Sequence, residues 1–459
     1  LHGPTLAEAA GTWADGGWRL LLTDPAVVLP ATGAPAWQQL LGWPVTPPPW
    51  AGGSGAATAL ALAAAGLVLV PALLALAAPR GGRAVRAAWL VVAVGLAAAV
   101  ASGLTATAVA DVDPVGTALV AAWPGGGVSL ALLGALSAAL VGAGGVRAAV
   151  AGHDFGWRQV GAAGLAALAV LGPALVLAGW TVAVRGGDLA LVTSEAPVVP
   201  AVGVQMQDSA DDVRVLALEV EPTAAVRGTL LRGDGVQLTE LGRAVTARTV
   251  AGPLDATEPV PADAAETEYA TAVARLVAGA ADAADGLAAL GVGAVLLGPG
   301  VEASSARTTL VGRLDSTDGL ERVTETSAGV LWRVSTAEGA RTTAWARLLT
   351  GTGGAPGEVL AAVPAADGVV DTTLAAATAP RQLVLAERAD PGWRAWLDGR
   401  QLRAVETSWR QAFEVPAEGG RLIVGHVPAG RTAWAALQGA VLLVTVLLAV
   451  PVRRRRGVR

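Results

Sequence analysis

Residues 87–110 read AAWLVVAVGLAAAVASGLTATAVA, 24 positions without a charged side chain, directly after Arg80, Arg83 and Arg86. A helix needs about 20 apolar residues to cross roughly 30 Å of hydrocarbon, and arginines concentrate on the cytosolic side of such a crossing. Four more stretches pass the same reading: 56–78, 128–146, 161–184 and 433–452. Threaded in order, they put 79–86, 147–160 and 453–459 on one side, where ten arginines, among them Arg147, Arg158 and the run from Arg453 to Arg456, face a single acid, Asp154. Trp89, Trp157, Trp180 and Trp434 stand at segment ends, where an indole can be half wet and half apolar. The expected fold class is therefore a multi-pass α-helical membrane protein with an external α/β domain and an external juxtamembrane β-sandwich. Its expected location is the plasma membrane, with 185–431 extracytoplasmic, the C-terminus cytoplasmic and the lipid bilayer as first partner.

Composition narrows the chemistry. The chain has no cysteine, which removes disulfides, thiolate metal sites and thiol nucleophiles. Its three histidines, His2, His153 and His426, fall in separate predicted locations, so no metal site is expected. All 32 basic residues are arginine, asparagine is missing and Ile423 is the sole isoleucine, a usage that fits a GC-rich, actinobacterial genome. With Leu1 first and Met206 the single methionine, the sequence reads as a fragment. Residues 1–55 carry Trp13, Trp18, Trp37, Trp43 and Trp50 and the run Pro47, Pro48, Pro49. Prolines remove backbone donors that lipid could not replace, so this part reads as an external loop, lying on or re-entering the surface.

The long segment between Arg185 and Arg431 holds 31 acids against 21 arginines, which argues against nucleic acid as a partner. Its first part, 185–340, alternates strands at 213–220, 226–231, 292–297, 320–326 and 330–334 with helices at 266–290 and 305–314, the pattern of a layered α/β domain. The second part, 341–431, offers short strands at 358–363, 382–388, 393–397, 401–405, 411–415 and 421–427, with Asp398-Gly399 supplying a tight hairpin. That spacing predicts a small β-sandwich leading into the last apolar stretch at 433–452, ahead of the basic tail 453–459.

The run Ala389-Asp390-Pro391-Gly392-Trp393-Arg394-Ala395-Trp396-Leu397-Asp398-Gly399, with Trp409-Arg410-Gln411-Ala412-Phe413-Glu414-Val415-Pro416 after it, resembles the C-terminal external sandwich of large bacterial membrane glycosyltransferases. The segments from Leu314 to Val323 and from Leu331 to Val334, Leu1-His2-Gly3-Pro4 and Trp123-Pro124-Gly125 resemble the same group, closest to the C-terminal half of actinobacterial proteins that begin with a cytoplasmic family 2 domain. The resemblance implies the anchoring and external portion of a cell-envelope glycosyltransferase whose nucleotide-sugar domain lies upstream, with no cofactor held in this part. None of the resembling motifs is catalytic.

Two further readings come from the residues themselves. Asp111 and Asp113 form an acid-x-acid pair after the second apolar stretch, the arrangement for general-base or metal work on a polyprenyl-linked sugar at an external loop, although short loops hold solvated carboxylates for no catalytic reason and Pro114 is a simple turn former. In the non-catalytic reading, Trp396 and Trp409 contact envelope glycan or lipid headgroups. Strand alternation puts Trp393 and Trp396 on opposite faces, with Trp393 and Phe413 assigned to core packing. Gly298-Pro299-Gly300 lacks the spacing of a nucleotide fingerprint and reads as a loop, and Ser304 and Ser305 have no histidine partner nearer than His426.

Overall fold

The computed structural model describes residues 3–22, 69–76, 82–112, 116–122, 124–150, scattered positions between 156 and 185, then 198–220, 224–232, 263–299, 305–336, 343–354, 357–427 and 430–449. The chain divides into two compact units, one formed by 9–194 with 241–260 and the other by 1–8, 195–240 and 261–459.

The first unit corrects the five-span reading. Among the described residues only two helices are long and apolar enough to cross a membrane, 82–104 and 125–144, and three β-sheets of four or five strands dominate the rest of the chain. Helix α1 is Gly3–Gly11, and α2 runs Gly82–Leu104. The apolar stretch continues past Leu104, but the helix does not. Ser102 and Thr105 turn their hydroxyls back onto the carbonyls of Ala98 and Ala101, and the β-branched run that follows pairs as a hairpin of β1 (Ala106–Val112) and β2 (Gly116–Ala121). Hydropathy cannot distinguish the end of an apolar helix from the start of an apolar strand. Helix α3 follows at Gly125–Val150. Of the other expected spans, 56–78 is described only at the helical residues 69–76, and 161–184 only at scattered helical positions. The last stretch forms a helix at Arg431–Ala449, apolar over 431–447 and so shorter than the two that qualify.

Helices α2 and α3 pack antiparallel through small residues. A Cβ added at Gly127 would lie 2.4 Å from the Ala99 nitrogen and 2.6 Å from the Gly95 oxygen, and one at Gly95 would lie 2.5 Å from the Ala131 nitrogen. The backbones therefore touch, as in membrane helix pairs where small side chains let two helices approach. Residues 69–76 join this packing through Ala72 and Ala75, and the Trp89 indole donates to the Ala72 carbonyl at 3.1 Å. Of the expected Trp-rich external loop, the described part contains α1 and two short 3-10 turns, Trp13–Asp15 and Gly17–Leu21, while Trp37, Trp43, Trp50 and the prolines lie outside the described residues. Arg19 is fully buried, stacked 4.4 Å from the Trp18 ring, and its Nε donates to the Ala106 carbonyl where β1 begins.

The second unit opens with a short helix, α4 (Ala201–Gln207), and a five-stranded sheet of order β4-β3-β5-β7-β6. Its strands are β3 (Arg214–Val220), β4 (Val226–Leu231), β5 (Val292–Leu297), β6 (Leu320–Thr326) and β7 (Gly329–Val334); β3 and β5 are parallel and the other pairings antiparallel. Every residue of β5 is buried because both faces of this central strand are covered. Val292, Val295 and Leu297 meet helices α5 (Ala264–Ala278), α6 (Ala283–Ala289) and α7 (Ser305–Asp315), whereas Ala294 and Leu296 meet Val199 and the α4 side. The single helix expected over 266–290 is two. Gly279, at φ 73°, accepts the left-handed conformation that ends α5, and its N–H bonds back to the Arg275 and Leu276 carbonyls.

Two sheets then close over one core. The first has order β14-β15-β11-β8-β9, built from β8 (Ala346–Thr350), β9 (Val359–Ala362), β11 (Arg381–Arg388), β14 (Ala404–Val405) and β15 (Arg410–Val415). The second has order β10-β16-β12-β13, built from β10 (Val370–Leu374), β12 (Trp393–Leu397), β13 (Arg400–Gln401) and β16 (Gly420–His426). Trp345, Leu383, Phe413, Ala395, Leu422 and Val424 fill the space between them, with Trp393 packed at the margin. Asp398 and Gly399 both have positive φ, 47° and 79°, the conformation that an Asp-Gly hairpin demands. Strands β8 and β10 are additions to the sequence reading. Helix α8, Arg431–Ala449, follows, with Leu437, Val441, Leu442 and Leu447 exposed.

Candidate functional site

The α/β part and the sandwich are locked together by arginines. Glu387 on β11 receives Arg214 Nη2 at 2.5 Å, Arg232 Nη1 at 3.2 Å and the Trp345 indole N–H at 3.0 Å through one oxygen, Oε1. Arg232 also donates to Asp212 at 2.7 Å, and Asp212 takes the Gly368 N–H at 2.9 Å. Burial alone would raise the Glu387 carboxyl. Arg214, the Trp345 N–H and Arg232 outweigh it, so its pKa lies below the ordinary carboxylate value. A second contact joins Glu268 on α5 to Trp409 Nε1 at 2.7 Å and to Arg410. Arg347 caps the C-terminal carbonyls of α6, Ala288 at 3.1 Å and Ala289 at 2.8 Å, where the helix dipole favours a cation. Its pKa is brought down to about 10, chiefly by burial and further by neighbouring Arg410, with Glu268 opposing.

The outer face of the β10-β16-β12-β13 sheet carries exposed and half-buried side chains. Ala395 and Leu397 of β12 point into the core, which leaves Arg394 and Trp396 on the outer face. Register aligns Trp396 with Ile423 and Gln401, and Ile423 with Asp371, so these four form one row across the sheet. Arg421, two residues before Ile423, holds Asp371 in a bidentate pair, Nε to Oδ1 at 2.8 Å and Nη2 to Oδ2 at 2.7 Å. Each group fixes the charge of the other: the hydrogen bond from Arg421 holds the Asp371 carboxyl below its usual range, and Asp371 raises Arg421. On the other side of Trp396 the row is Arg394 opposite Gly425, and a Cβ placed on Gly425 would meet nothing within 4 Å. The result is a half-buried indole on an open sheet face, with a planar donor–acceptor pair on one side and a backbone-floored gap on the other.

A half-buried aromatic plane beside a planar hydrogen-bonding pair is equipped to stack on the C–H face of a sugar ring while its hydroxyls meet a carboxylate and a guanidinium. Sequence alternation located Trp396 on this face. It did not reveal Asp371, which lies on β10, a strand absent from the sequence reading, nor Arg421, whose role depends on a partner 50 residues away. Arg394 lies two residues before Trp396 and so shares its face by strand alternation.

The other predicted site residues are placed elsewhere. Trp409 uses its indole N–H on Glu268 and carries the Arg410 guanidinium 4.3 Å over its ring, so its polar edge serves the junction between the α/β part and the sandwich. Asp111 stands in β1 opposite Thr117, in a hairpin where a short loop was expected, and Asp113 lies outside the described residues. His426 bonds Asp390 at 2.8 Å and meets the Trp393 ring edge-on at 5.1 Å. Among the described residues no group of three or more histidine, cysteine or acidic side chains is placed to hold a metal ion. Compared with protein-family models, with curated proteins and with solved structures, the chain gives no match.

Proposed function

We propose that this chain engages glycan at the cell envelope, as the membrane-associated part of a glycosyltransferase whose sugar-transfer chemistry belongs to a separate nucleotide-sugar domain. The observation that carries the reading is Trp396, held half-buried on the outer sheet face beside the Arg421–Asp371 pair. Membrane association rests on α2 and α3, the two helices with the length and composition to cross a bilayer. Arginines at 80, 83 and 86 before α2 support a cytosolic start for that helix. The motif around Pro391-Gly392-Trp393 and Asp398-Gly399, which resembles the external sandwich of membrane glycosyltransferases, supports the choice of glycan over other flat ligands.

Calorimetric titration of the full chain in detergent with envelope oligosaccharides tests this. Trp396→Ala is expected to weaken binding about tenfold or more, the loss typical of an aromatic anchor, whereas Trp409→Phe leaves it unchanged. Equal affinity of Trp396→Ala and wild type would remove the basis of the reading. Because Asp371 and Arg421 stabilise each other's charged forms, binding is expected to stay constant between pH 6 and 8 (roughly the span in which neither group titrates).

A further inference from the structure

The outer sheet face has an asymmetry that stacking and hydroxyl recognition leave unused. Arg421 is matched by Asp371, but Arg394, on the other flank of Trp396, has no carboxylate partner among the described residues. Its guanidinium is fixed instead by main-chain carbonyls, with Nη1 donating to Pro391 and, at 3.0 Å, to Trp393. That anchoring uses one nitrogen and leaves Nε and Nη2 with their donors unspent. Arg394 stands opposite Gly425 in the sheet, where the missing side chain leaves the backbone open. Arg400 on the β12–β13 hairpin and Arg403 just past it are also without ion pairs among the described residues, and the hairpin's one acid, Asp398, is occupied by the backbone N–H of Arg421 at 2.8 Å. In a segment with ten more acids than arginines, this hairpin is locally positive.

A guanidinium anchored by backbone carbonyls, on a residue that stands opposite a glycine and has no carboxylate partner among the described residues, is equipped to take a carboxylate or phosphate by two parallel hydrogen bonds. We propose that the Trp396 face takes an anionic glycan, with Arg394 receiving the ligand's carboxylate or phosphate over Gly425 while Trp396 stacks on the sugar ring. The proposal rests on the glycan reading above and names the ligand class for the same site.

Two matched pairs of probes test it on the full chain in detergent. One is hexagalacturonate against its methyl ester, and the other a phosphorylated mannan oligosaccharide against the same material after phosphatase treatment. In at least one pair the charged member is expected to bind about tenfold tighter at low salt. That advantage should shrink as ionic strength rises. Arg394→Gln should abolish it, and Gly425→Leu should weaken both members by filling the floor. The pair that responds identifies carboxylate or phosphate as the recognised group. Charged and neutral members binding equally in both pairs would overturn the anionic assignment and leave the glycan reading standing, whereas no binding of any probe overturns both. Should Arg394→Gln fold poorly, the salt series on the wild-type chain decides alone: an advantage indifferent to salt counts against the proposal.

Discussion

Replacing Glu387 with glutamine is expected to destabilise the second unit by about 2–3 kcal/mol, slightly below the cost of breaking a fully buried pair because a quarter of this side chain stays exposed. The reason lies in what remains behind. Of Arg214 and Arg232, with side chains 11% and 17% exposed, Arg232 would keep Asp212 as its carboxylate, while Arg214 would lose the carboxylate that it pairs with here. The Trp345 N–H would also exchange an ionised acceptor for a neutral one. The pH dependence has a definite sign. A carboxyl whose pKa is depressed by folding contributes stability above its unfolded value, here the ordinary 4.5, and loses it as pH falls through the folded value. Denaturant unfolding of wild type and Glu387→Gln should therefore show a constant gap from about pH 8 to pH 5 that narrows below, since only the wild type has this charge to lose. A gap that persists undiminished to about pH 3 would mean that the carboxylate is not what binds the two arginines.

This junction also shows where sequence reading stops. Strands 213–220, 226–231, 292–297 and 320–326 were legible because each is a short apolar or alternating run bounded by turn residues, and the structure has strands at all four. The Asp398-Gly399 hairpin was legible because its chemistry is local. Glu387 and Arg214, however, are 173 residues apart, and nothing in either neighbourhood announces the other. Strand β10 escaped because Asp371, Thr372 and Thr373 dilute its two buried ends, Val370 and Leu374, below what a strand signal needs. The site therefore divided in two: Trp396 could be assigned to an outer face from alternation, while the pair that gives that face its chemistry could not.

The apolar segments failed for a different reason. Alanine, valine, glycine and threonine make up most of 87–110, and such residues are tolerated in helices, strands and tight helix contacts alike. Length and hydropathy counted that run as one crossing, whereas Thr105 marks a switch from helix to hairpin. A polar residue with a side chain able to bond its own i−4 carbonyl was the local cue, and its weight is small beside 20 apolar neighbours.

Glycine positions in α2 and α3 supply the second large effect. Gly127→Leu is expected to separate the two helices and cost about 3 kcal/mol, because its new Cβ would meet main-chain atoms, Ala99 N at 2.4 Å and Gly95 O at 2.6 Å, which no rotamer change can move away. Gly103 is the control on the same helix pair. A Cβ there meets nothing within 4 Å, and exchanging a helical glycine for alanine favours the helix by roughly 0.5–1 kcal/mol. Thermal unfolding in detergent should thus lower the midpoint by several degrees for Gly127→Leu and hold or raise it for Gly103→Ala. Gly95→Leu should behave as Gly127→Leu does, since its added Cβ would lie 2.5 Å from the Ala131 nitrogen on the opposite helix. If both leucine variants melt with the wild type, the helices are not in backbone contact. The packing that distinguishes these two segments from ordinary apolar helices would then be lost as an argument for their place in a bilayer.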